Sequence, residues 1–169
     1  KGDVVARFSG RCEWGARALG NRSIIADARK RDVVMEINEA VKNRDFWMPF
    51  APSVKKEREA DYLVNPKGFP APYMVVSFNT TDLGKKALRA ALHQYDFTAR
   101  PQVVKKSWNP GYHRVLSSFE EQTGEGGFLN TSFNLHGYPI VCSPKDAIET
   151  LKSTGLKNLA LGKWFISRK

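Results

Sequence analysis

Apolar positions fall in short runs separated by glycine, proline and charge. Val4, Val5 and Phe8 predict a first strand at a sheet edge. Gly10, Gly15 and Gly20 then punctuate a loop carrying Arg11, Glu13, Arg17 and Arg22, a pattern that lets backbone approach a ligand. From Ala28 to Lys42 the recurrence of Val33 or Val34, Ile37 and Val41 predicts a helix with Asp27 as its N-cap. Pro49, Pro52, Pro66, Pro70 and Pro72, with the charged run 55–59 between them, predict turns, a short helix and an exposed excursion. Tyr73 to Phe78 reads as a buried strand, Leu83 to Gln94 as a helix with Leu88 and Leu92 inward, and Arg100 to Lys105 as another strand.

The later elements carry clearer punctuation. Asn109 and Pro110 open a helix to Thr123 with Tyr112, Leu116 and Phe119 on one face, and Gly124 stops it. Gly127 to Thr131 is a strand. Ser143-Pro144-Lys145-Asp146 supplies a hydroxyl N-cap, a proline at N1 and a carboxylate at N3, and Gly155 closes that helix. Leu159 to Ile166 is the last strand. Strands and helices alternate, which predicts a single α/β domain with a mixed sheet covered by helices.

Composition agrees with a globular chain of 169 residues, 41% hydrophobic and 26% charged. Charge changes the picture. Lys and Arg number 27 against 17 Asp and Glu, a net +10, so a surface or cleft must attract anions such as phosphates or nucleic acid. Cys12 and Cys142 stand alone, as free thiols in a reducing, cytoplasmic setting would. Apolar stretches run only a few residues, far short of the roughly 18 to 20 of a membrane-spanning helix. The chain starts without Met or a signal-peptide core, so a piece of a longer chain is expected.

Neither a phosphate-loop nor a dinucleotide pattern is present, and His93, His113 and His136 have no nearby ligand at metal spacing. What remains is four segments that combine cations, hydroxyls and turns: 10–23, 42–52, 98–102 and 130–134. Each has a bland alternative. Arg17 can balance Glu13, Lys42 can complement a helix end, and Ser132 with Asn134 can form a turn. Together they supply what a polyphosphate needs: planar bidentate donors, a point cation and neutral donors, with Trp47, Pro49 and Phe50 as walls.

The string Gly10 to Ile24 resembles the motif that opens the C-terminal domain of the O-carbamoyltransferases of antibiotic and nodulation-factor biosynthesis. Lys42 to Val54, Asp96 to Gln102, Leu129 to Ser143 and the ending Leu161-Gly162-Lys163-Trp164 are similar to that family's later motifs, in order. The resemblance implies a YrdC-like fold, a twisted mixed sheet flanked by helices, that binds ATP with Mg2+ and carbamoyl phosphate and forms carbamoyl adenylate. It implies Lys42, Arg100, Arg17 and Ser132 as catalytic residues, with Arg44, Asn134, Arg22, Thr131 and Thr98 as binding residues. It also implies a separate, iron-binding, Kae1-like N-terminal domain that transfers the carbamoyl group to a small-molecule hydroxyl.

Five positions depart from the family pattern. Met48 stands where Arg is usual, Phe97 where Gly precedes Thr98, Ala16 where Pro is usual, Gln94 where His is common, and Tyr138 where Glu precedes Pro139. Two other readings compete. A +10 domain can bind nucleic acid through phosphates, although the four tryptophans are not interleaved with basic residues. A tRNA threonylcarbamoyl-adenylate synthase shares the Lys-x-Arg and Ser-x-Asn elements but not the long opening string.

Overall fold

The computed structural model describes residues 2–43, 45 and 47–168. Its centre is a seven-stranded mixed sheet built from β1 (Val5–Phe8), β2 (Arg22–Ala26), β3 (Ala51–Lys55), β6 (Gln102–Val104), β7 (Gly127–Ser132), β8 (Asn158–Leu161) and β9 (Trp164–Ser167). The strand order is β6-β3-β7-β2-β1-β8-β9. The helices are α1 (Asp32–Ile37), α2 (Glu59–Tyr62), α3 (Asp82–Ala87), α4 (Pro110–Thr123) and α5 (Pro144–Ser153), and a short ribbon pairs β4 (Leu63–Val64) with β5 (Asn79–Thr80). The predicted mixed α/β domain is therefore the observed architecture. Among the described residues no helix is long and apolar enough to cross a membrane.

The two faces of the sheet differ in chemistry. Register places Ile24, Leu129, Val54 and Val103 on one face, where they join Val33, Ile37, Leu88 and Leu151 in the main core. Each such side chain, fully buried, contributes about 1.5 to 3 kcal/mol. The other face carries Ile25, Phe128 and Val104 beneath Tyr112, Leu116 and Phe119 of α4, but also Ser23, Ser53, Gln102, Asn130 and Ser132. Phe128 takes the rings of Tyr112 and Phe119 edge-on at 5.6 and 5.7 Å between centroids.

Local chemistry explains the elements that match expectation. The Asn109 side chain accepts from the Tyr112 N–H at the start of α4, and Gly124 ends it at φ 79°. At α5 the capping box is complete: Ser143 Oγ accepts from the Asp146 N–H, and the Asp146 carboxylate accepts from the Ser143 and Cys142 N–H groups. α5 runs to Ser153, and the Gly155 N–H bonds to the Ala40 carbonyl.

Other expectations are corrected. β1 is interior, antiparallel to β2 and parallel to β8, rather than an edge. β2 lies behind the glycines of the first loop, and β3 inside the proline-rich stretch, where neither was expected. The first helix is shorter than the apolar pattern predicts: Asp27 is spent on Arg29, so α1 starts at Asp32 and passes into a π turn at Asn38–Lys42. Tyr73 to Phe78 is not a strand. Pro72 precedes it, Met74 takes φ 56°, and Tyr73, Val75 and Val76 are exposed. The second predicted helix stops at Ala87 and is followed by a 3-10 turn at Arg89–Ala91. The final strand is a hairpin, β8 and β9, turned at Gly162.

Gly20 has φ 116°, and a Cβ there would lie 2.4 Å from the Tyr112 ring. Gly20→Ala should therefore destabilise the protein by about 2 to 4 kcal/mol in urea unfolding. Glu120 bonds Lys55 and Arg58, and the Lys55 contact leads in lowering its pKa. A carboxylate depressed in the folded state stabilises above its unfolded pKa and loses that contribution as pH falls through its folded value. Glu120→Gln should flatten the loss of stability below about pH 4.5 in acid titration monitored by circular dichroism.

Candidate functional site

The loop between β1 and β2 is folded around one carboxylate. Glu13 Oε1 accepts the backbone N–H groups of Leu19 (2.7 Å), Asn21 (2.7 Å) and Arg22 (3.2 Å). Glu13 thus serves the loop backbone, and among the described residues it forms no ion pair with Arg17. The Arg22 guanidinium donates to the carbonyls of Ser9, Asn21 and Gly10 and stacks 3.5 Å from the Phe8 ring centroid. Those contacts make it a brace for the loop, apart from the recess that Arg17 and Arg100 line.

Beneath the loop lies a buried polar network. Tyr112 Oη donates to Ser53 Oγ (3.0 Å), which donates to Gln102 Oε1 (2.8 Å). Gln102 Nε2 donates to the Leu19 carbonyl (2.7 Å). Asn130 Nδ2 faces the Ala18 carbonyl (3.2 Å), Ser53 Oγ (3.0 Å) and Gln102 Oε1 (3.2 Å). The network ties three strands and α4 to the carbonyls that follow Arg17. Burial raises the Tyr112 pKa well above its ordinary value, so its hydroxyl stays a donor.

Arg17, Ala18, Phe50, Met74, Arg100, Asn130, Thr131 and Ser132 line a recess of about 50 Å³ with Ala16, Pro49 and Ala51. Among the described residues neither Arg17 nor Arg100 makes a hydrogen bond or ion pair. Burial first, and the Arg17 charge second, lower the Arg100 pKa. Two arginines lining one small space without an acid concentrate positive potential there, which a negative charge would relieve. Lys42, 1% exposed, stands behind the recess. Its Nζ donates to Ser132 Oγ (3.2 Å), the Asn134 carbonyl (3.1 Å) and Asn134 Oδ1 (2.6 Å).

The structure thus brings Lys42, Arg17, Arg100, Thr131 and Ser132 to one place. Asn134 reaches it indirectly: Oδ1 accepts from Lys42 and Ser132, while Nδ2 donates to the carbonyls of Leu135 and Tyr138. Thr98 does not line the recess. Its Oγ1 and N–H both bond Asp96, and the turn they make precedes the Ala99 bridge to Phe78 that sets up Arg100. Arg44 lies outside the described residues. Trp47 is exposed and is not in the lining, whereas Pro49 and Phe50 are. Asn130, Gln102, Ser53 and Glu13 carry roles that motif reading did not single out; for the first three the signal was their alternation along strands that now share a face, whereas Glu13 lies in the loop. Among the described residues no group of three His, Cys, Asp or Glu side chains converges as metal ligands.

Fold and site together define a basic α/β domain in which two arginines line one small recess beside a buried polar network. The chain belongs to the carbamoyltransferase C-terminus family, which it matches over residues 1–168. It is 41% identical over 169 residues to the uncharacterized protein MJ1058 of Methanocaldococcus jannaschii, covering 100% of this chain and 27% of that protein. It is 38% identical over 169 residues to the nodulation protein NolO of Bradyrhizobium diazoefficiens, covering 99% and 31%. It is 35% identical over 167 residues to the 3'-hydroxymethylcephem-O-carbamoyltransferase of Amycolatopsis lactamdurans, again covering 99% and 31%. The chain therefore spans less than a third of the length of these relatives.

Arg100→Gln removes a half-buried charge that faces another of the same sign. The variant should melt at or above the wild-type temperature while binding inorganic phosphate at least about tenfold more weakly. Thermal denaturation with and without phosphate reads both effects.

Proposed function

We propose that this chain binds ATP and carbamoyl phosphate and forms carbamoyl adenylate for an O-carbamoyltransferase. The observation that carries the reading is the convergence of Arg17 and Arg100, facing no acid, with Ser132 on one small recess backed by Lys42. Family membership and the carbamoyltransferase named among the relatives support it. The closed part of the recess suits a phosphoryl or carbamoyl group; a nucleoside is too large for about 50 Å³ and has to lie on the open surface beside it.

In the reaction, water cleaves the phosphoryl bond of carbamoyl phosphate, releasing inorganic phosphate and carbamate. The carbamate oxygen attacks the α-phosphorus of ATP, and the bond to pyrophosphate breaks. Mg2+ enters as part of the ATP substrate. The residues act by placement and charge rather than by covalent attack. Arg17 and Arg100 hold the anionic oxygens and offset the charge that develops on them. Lys42 adds a positive potential from behind and keeps Ser132 oriented, while Asn134 keeps Lys42 in place. The carbamoyl group then passes to a hydroxyl of a small-molecule acceptor, and AMP leaves. That transfer belongs to the remaining length of proteins like the relatives, on the proposed Kae1-like domain with its iron, in the cytoplasm.

The test mixes the protein with magnesium ATP and carbamoyl phosphate and follows carbamoyl adenylate and pyrophosphate by mass spectrometry. Product should form, and Lys42→Met and Arg100→Gln should each lower its rate by about 100-fold or more. A protein that binds ATP and carbamoyl phosphate yet makes no adduct would sink the adenylation step. Failure to bind ATP at all, with salt-sensitive retention of RNA, would favour the nucleic-acid reading instead.

A further inference from the structure

Residues 72–77 form a strap that is held at its two ends. The Ala71 carbonyl accepts from the Val103 N–H (2.7 Å), and Phe78 and Ala99 exchange backbone bonds of 2.8 and 2.9 Å. Among the described residues, the backbone from Pro72 to Ser77 makes no hydrogen bond between those anchors. Tyr73 and Val75 are 59% and 70% exposed, yet Met74 between them is 4% exposed and lines the recess. Its burial belongs to neither apolar cluster of the fold. Its backbone sits at φ 56°, a left-handed conformation that residues other than glycine seldom adopt. An outlier that exposes its apolar neighbours and joins no core points to the place its one buried side chain fills.

That place is the wall of the recess. Arg17 and Arg100 are the cations of the lining, so the phosphoryl group of a bound carbamoyl phosphate goes to them. The carbamoyl group is then left to the apolar members, Met74, Pro49 and Phe50. We infer that Met74 sets the size of the acyl group that the site accepts: the strap seats Met74 against a carbamoyl group and cannot seat it against a longer one. Because nothing along the strap bonds it in place, a longer group is not blocked outright. It displaces Met74, and that side chain loses its burial to water. The selectivity is therefore bounded by what the burial is worth, a factor on the order of ten to a hundred. The inference rests on the recess being the carbamoyl phosphate site and adds which acyl groups it takes.

The test is calorimetric binding of carbamoyl, acetyl and butyryl phosphate to the wild-type protein, to Met74→Ala and to Met74→Leu. Acetyl matches carbamoyl in size, and butyryl is longer. The wild type should bind butyryl phosphate at least about tenfold more weakly than either of the others. Met74→Ala should bring the three together, whereas Met74→Leu, which keeps the bulk, should retain the preference. Hydrogen exchange on the wild type reads the same event without a variant: the amides of residues 73–77 should slow with carbamoyl phosphate and not with saturating butyryl phosphate. A wild type that binds carbamoyl and butyryl phosphate equally overturns the inference and leaves the carbamoyl phosphate reading standing. So does one that rejects acetyl phosphate as strongly as butyryl phosphate, since selection is then not by size. A folded Met74→Ala that keeps the preference, or exchange that carbamoyl phosphate leaves unchanged, also overturns it. If the wild type binds inorganic phosphate but none of the three acyl phosphates, the carbamoyl phosphate reading falls and the inference falls with it.

Discussion

The junction between the polar face of the sheet and the carbonyls of Ala18 and Leu19 governs the rest of the molecule. Asn130 and Gln102, on strands separated by β3, each give a side-chain N–H to this loop. Without those bonds two carbonyls would be buried with nothing to meet them, and the loop would have to rise into water. With them, Arg17 is fixed one residue before the anchored backbone and faces Arg100 across the recess. Two like charges are held near one another only because rigid elements hold them there. The apolar face of the sheet supplies the stability that makes this tolerable, through a core in which Ile24, Ile37, Leu88 and Leu129 are fully buried.

Legibility in the sequence followed the locality of the cause. α4 and α5 could be read because Asn109, Gly124, Ser143 and Asp146 act within one turn of themselves. β2 and β3 could not, because Ile24 and Ile25 sit behind glycines, Pro52 lies within β3, and only pairing with β7 makes either segment extended. Tyr73 to Phe78 shows the converse. Its composition favours a strand, yet the backbone reverses at Met74 and buries that residue in the recess wall. The site divides in the same way. Lys42, Arg17, Arg100 and Ser132 were visible as motif residues, whereas Asn130 and Gln102 owe their meaning to strands brought side by side.

The departures from the family pattern are mostly local in effect. Met48 is about half exposed and does not line the recess, so the missing cation leaves the Arg17 and Arg100 pair as it is. Tyr138 serves through its carbonyl, which accepts from Asn134, and the residue is otherwise exposed. Phe97 adopts φ 57°, the left-handed region in which glycine is unstrained, and this accounts for glycine being usual there. Its ring recovers part of that cost by packing against the main core.

The π turn at Asn38–Lys42 sets one more condition. The Asn43 N–H bonds the Asn38 carbonyl across five residues, one more than an α-helical bond spans. Were the same residues wound as an α-helix, the Asn43 N–H would bond the Glu39 carbonyl instead, and each residue would turn by about 100° rather than the smaller step of a π turn. Lys42 would then swing away from Ser132, although every side chain that names the site was still present in the chain. The winding of this segment is thus as much a condition for the Lys42 contact with Ser132 as the identity of either side chain.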